Sequence, residues 1–133
     1  MLTLSELYKQ LSETQDFTRK NTMTIVEDSI EVVFEDLPDF PVRVIVDSNG
    51  IHCWTVLASI EDIQEDKIDE LNATLLEANG RTSLSNFSTL DGLYCLNGDL
   101  SSESILKNIV LELDTLITVT EDAIEKIFLN YIN

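Results

Sequence analysis

His52 and Cys53 stand side by side in the chain, a general base beside a thiol nucleophile, and His52 is the only histidine among 133 residues. Any Ser-His or Cys-His catalysis would therefore have to run through it. The surrounding segment, HCWTVL, is rich in β-branched and aromatic side chains and predicts a strand. Neighbouring side chains on a strand point to opposite faces, so these two cannot face each other. His52 reads as a polar position in an alternating strand. The other cysteine, Cys95, is too distant along the chain to complete a CxxC pattern, and a single histidine leaves no HxxxH, so a zinc site is not expected. Both cysteines lie in apolar runs and read as buried, reduced thiols.

Carboxylates are abundant, with 25 Asp and Glu. Asp47-Ser48-Asn49-Gly50 has the oxygen ligands of a calcium loop, but its glycine is at the wrong offset and Ala58 stands where the bidentate acid belongs. It reads as a turn. Paired acids could serve hydrolysis or acid-base work, yet so many acids make pairs inevitable, and solvated surfaces account for them more simply. GxGxxG, GxxxxGK[ST] and GxSxG do not occur, and four glycines leave little for a phosphate cradle. No catalytic, cofactor or metal site is expected, and the chain reads as a non-enzymatic protein. The alternatives are a small carboxylate-dependent or divalent-cation enzyme, and an acidic polyanion mimic that inhibits by filling a basic groove.

The net charge of -17 repels phosphate backbones and anionic headgroups, so nucleic acid and membrane are poor partners and a basic or mixed protein surface is a better one. The acids are spread over two internal stretches, Glu27–Asp39 and Glu61–Glu70, so they belong to a folded surface. Apolar residues make up 44% of the chain, enough to fold a core at this length. One domain over residues 1–133 is expected. The start MLTLSELYKQ lacks the basic and apolar regions of a signal peptide, and no apolar run is long enough to span a bilayer; a cytoplasmic protein without membrane insertion follows as the expectation.

The elements that would position these residues follow from periodicity. Leu4, Leu7, Tyr8 and Leu11 make a helical stripe over about 4–14, with Thr3 and Glu6 as a capping box. Alternation then predicts strands near 30–35, 42–47 and 51–58, with TMTIV (22–26) a weaker candidate. Asp47–Gly50 should close an antiparallel hairpin. A second helix is predicted over 65–79, with Ile68, Leu71, Leu75 and Leu76 on one face and Gly80 as its C′ residue. One or two short strands lie between 83 and 97, around Asp91-Gly92. The last helix begins after Ser101 or Ser102 and runs about 28 residues, as one long helix or as two divided near Thr118, where Thr118–Glu121 is β-branched and resembles a second capping box. The class is α+β: helix, antiparallel strands, helix, two strands, long C-terminal helix.

Two features suggest a partner. Trp54 reads as core, given its β-branched neighbours, or as part of a recognition face. On the last helix, Leu106, Val110, Leu113, Ile117 and Ile124 widen the apolar stripe beyond what a thin sheet would cover, which points to dimerisation or to capture of a protein segment.

Leu71–Leu76, Leu84–Phe87, Asp91–Ser101 and Asn108–Leu116 together resemble the YjfI-type bacterial family of unknown function. That resemblance implies a link to PspA-type envelope-stress proteins and supplies no catalytic residues. The order of elements in a small acidic chain is also similar to that of the type III secretion chaperones, with four strand candidates before the second helix where the chaperone pattern has three. This second resemblance implies a homodimer that binds an extended client segment.

Overall fold

The computed structural model describes residues 2–82 and 84–133. Helix α1 spans Leu4–Glu13 and is capped by Thr3, whose hydroxyl oxygen accepts the Glu6 N–H at 3.1 Å while its O–H donates to the Glu6 carboxylate at 3.0 Å. Leu7 and Leu11 are fully buried, as their spacing requires. Strands β1 (Asn21–Val26), β2 (Ser29–Phe34), β3 (Val42–Asp47) and β4 (Gly50–Ser59) then form an antiparallel meander. TMTIV is therefore a full strand, joined to β2 by the two-residue turn Glu27-Asp28.

Two short 3-10 turns lead into α2 (Ile68–Ala78). Leu71 and Leu75 are buried, but Leu76 is 75% exposed, a correction to the expected buried face. Gly80 is not in the left-handed conformation; the chain leaves α2 through turns at Asn79–Arg81 whose N–H groups bond Leu75, Glu77 and Ala78 carbonyls. Strands β5 (Asn86–Leu90) and β6 (Leu93–Leu100) form a hairpin about Asp91-Gly92, both at positive φ (51° and 80°), as a tight two-residue hairpin turn demands. Strand β6 docks on β4, giving the order β1-β2-β3-β4-β6-β5.

Helix α3 spans Leu106–Lys126, starting later than expected because Ser101–Ser104 forms a turn first. Of the two alternatives, one helix or two, the chain forms one, unbroken at Thr118. The Thr118 and Thr120 hydroxyls donate to the carbonyls of Asp114 (3.0 Å) and Leu116 (2.8 Å), four residues back, so these residues are satisfied inside a continuous helix. A final turn, Phe128–Asn130, buries Phe128 edge-to-face on Tyr94 at 5.8 Å.

All three helices lie on one face of the sheet. That face carries Ile30, Val32, Phe34, Val42, Val44, Ile51, Cys53 and Leu96, all buried beneath α1 and α3. Gly98 faces inward too, and a side chain there would collide with the Glu112 carboxylate of α3. Asn97-Gly98-Asp99 is therefore strand, and its glycine is what lets α3 lie close.

The two sheet edges differ. In β5 the backbone of Phe87 points away from β6, and Asn79 closes both its groups: the Asn79 carboxamide oxygen accepts the Phe87 N–H at 2.6 Å and its amide donates to the Phe87 carbonyl at 3.1 Å. In β1, Lys20 bonds towards β2 through the Glu35 N–H, so by alternation Asn21, Met23 and Ile25 turn their backbone groups outward. Among the described residues, the partner along that edge is Tyr8, whose hydroxyl donates to the Met23 carbonyl over a long 3.4 Å.

Candidate functional site

Helix α2 leans on β5, whereas α3 crosses β4 and β6, so the two helices diverge and leave a groove of about 570 Å³. Its floor is Phe87 and Ala123, and Val119, Ala78 and Ile127 form half-buried walls. Threonines 74, 82 and 115 add hydroxyls. The rim charges are spent locally: Arg81 pairs with Glu77 at 3.2 Å along α2, and Lys126 with Asp122 at 3.6 Å along α3. In a chain of charge -17 the groove is thus an apolar strip with balanced edges. Such a strip can take apolar side chains of a partner segment without forcing charges together.

A second hollow, about 310 Å³, lies on the helix-free face of the sheet over Cys95, with Trp54, Leu90 and Asn97 around it. Trp54 is half-buried there, paired across the ladder with Arg43 and Asn97. It is on the outer face and not in the core, because Cys53 and Thr55 take the inward positions of β4.

The residues proposed on the last helix divide. Val110, Leu113 and Ile117 are buried at 2, 1 and 0% exposure against the chain's own sheet, so most of the apparent surplus is core. Leu106 and Ile124 are half-buried at its margin. Neither lines the α2–α3 groove. The groove is formed on α3 by Val119, Ala123 and Ile127, and the apolar stripe read from the sequence contains neither Val119 nor Ala123; nothing in their spacing shows that α2 diverges beside them.

Several titratable groups with shifted pKa values lie on β3, β4 and α3 around β6. His52 bridges two carboxylates, Nδ1 to Asp99 and Nε2 to Asp47 at 2.9 Å, and these hydrogen bonds raise its pKa while lowering that of Asp47. His52 and Cys53 do point apart, and the Cys53 thiol is pushed up to about 12, chiefly by burial and further by Glu112. Glu112 is 2% exposed with Oε1 unpartnered, and burial, reinforced by Asp99, raises its pKa to about 7. It faces Gly98 beneath the sheet and lines none of the hollows described above, so it is poorly placed to meet a substrate. Among the described residues no group of three or more acids, cysteines or histidines is arranged to hold a metal ion. No helix among them is long and apolar enough to cross a membrane.

Two solved structures share this architecture. A chain of the ExsC–ExsE complex superposes with a TM-score of 0.68 at 13% identity, covering 96% of this chain and 97% of that one. YbjN from E. coli superposes with a TM-score of 0.63 at 11% identity, covering 99% and 96%. At such identities the likeness is one of fold, and the α+β class with its long last helix is that fold. No curated protein matches the chain in sequence. A family model described as "Uncharacterized protein conserved in bacteria (DUF2170)" matches residues 1–131, and the chain belongs to that family.

Proposed function

We propose that the protein is a non-enzymatic, chaperone-like binding module that works as a dimer and holds a segment of a partner protein in the α2–α3 groove. The observation that carries this reading is the groove itself: an apolar floor of Phe87 and Ala123, walled by Val119, between diverging helices, with its rim charges already paired. The ExsC–ExsE structure supports it, since there a chain of this fold is complexed with another protein. The net charge of -17 favours a partner segment with basic residues beside its apolar ones. The YjfI-type resemblance makes a PspA-like protein the first partner to test.

Calorimetric titration of the full chain with a purified PspA-like protein from the same host checks both parts. Binding is expected, and Val119→Asp should weaken it at least about tenfold, the effect of desolvating a charge in an apolar contact, with the circular dichroism spectrum unchanged. Binding unaffected by Val119→Asp would remove the groove from the reading, and no heat with the PspA-like protein would remove that partner.

A further inference from the structure

The geometry points to the open edge of β1 as the surface on which a second copy of this chain docks, pairing β1 with β1 antiparallel across a twofold axis at Met23. This rests on the dimeric reading above and names the interface.

Copies that each carry -17 repel one another, so self-association must occur where acids are scarce. From Phe17 to Val26 the sequence, FTRKNTMTIV, contains no acid. The strand itself, NTMTIV, has no charge and no proline, the two devices that usually blunt an exposed edge. On the opposite edge Asn79 covers the outward groups of Phe87. On β1 the outward groups belong to Asn21, Met23 and Ile25, and a twofold axis at Met23 pairs Met23 with itself and Asn21 with Ile25 of the second copy. That register joins outward groups to outward groups. Among the described residues, the bond exchanged is that of the Tyr8 hydroxyl to the Met23 carbonyl, at 3.4 Å.

Charge and shape agree with the same register. The strand is flanked by Arg19-Lys20 before it and Glu27-Asp28 after it, so antiparallel self-pairing sets the basic end of each copy against the acidic end of the other. Arg19 is already engaged with Glu121 (3.2 Å) and Asp36 (3.6 Å), which leaves Lys20, exposed and without an ion pair among the described residues, to reach Asp28 across the axis. Ile25 is 46% exposed on the inner face. In this register it falls beside Asn21 of the other copy, at a hollow of about 330 Å³ lined by Leu11, Phe17 and Met23.

Sedimentation or light scattering of the full chain across a dilution series tests the inference. A species of twice 15.0 kDa is expected. Met23→Pro removes an outward N–H without touching the bonds to β2 and should leave a folded monomer. Lys20→Glu should weaken the dimer several-fold, roughly tenfold for two exposed pairs turned repulsive, and adding Asp28→Lys should restore it; this reversal stands even if the proline variant fails to fold. A wild-type monomer at all concentrations, or a dimer indifferent to both substitutions, overturns the inference. Titrating the Lys20→Glu protein with the PspA-like protein separates the two readings, because binding there survives if only the β1 interface is wrong.

Discussion

Glu112 carries the largest conflict at a single residue. A carboxylate 2% exposed, with one oxygen lacking a partner, costs free energy when ionised, and the protein meets this by raising its pKa from 4.5 to about 7. Between those values the native state binds more protons than the unfolded chain, so this residue makes stability fall as pH rises through that window, with the loss complete above it. Glu112→Gln keeps the shape and removes the charge. Denaturant unfolding should show the variant more stable than wild type by roughly 1–3 kcal/mol at pH 8 and equal to it near pH 4. A variant less stable at both pH values would mean that the carboxylate makes bonds the amide cannot replace.

At the scale of elements, His52 fastens the β3–β4 turn to β6 through Asp47 and Asp99. Its raised pKa means that the protonated ring stabilises the fold, fully below the unfolded value of about 6.5 and less as pH rises through the folded value. His52→Asn should lower the melting temperature by roughly 2–4 °C at pH 5.5 and leave it unchanged at pH 9. Strands β3 and β4 were legible from their β-branched and aromatic residues, as were α1 with its Thr3 cap and the hairpin at Asp47–Gly50, whereas β6 was legible only as one of one or two short strands and extends to Leu100. What periodicity could not show was how elements lean on one another. Leu76 fits the buried stripe of α2, but that helix rests on an edge strand too narrow to cover it. Asn97-Gly98-Asp99 has turn residues, yet it is strand because Gly98 answers to Glu112 on another element. The apolar width of α3 was visible, but its burial depends on the strands joining into one six-stranded sheet beneath it, an order that periodicity does not give. The α2–α3 groove is a gap between helices, and a gap has no residue pattern of its own.

For the whole molecule, the shifts at His52 and Glu112 have the same sign, so a shift from pH 5 to pH 8 loosens the sheet at β6 from both faces while the net charge repels itself more strongly. The asymmetry of the two sheet edges acts at a still larger scale. A sheet that can grow at both ends propagates without limit, whereas one that can grow at a single end stops at two copies. The Asn79 carboxamide, seated on Phe87 like a fragment of a missing strand, obstructs growth at the β5 edge. Asn79→Ala should turn a closed pair into an open series, read as growth of thioflavin fluorescence and turbidity that Met23→Pro on the same chain suppresses. One side-chain amide would then separate a finite particle from a fibre.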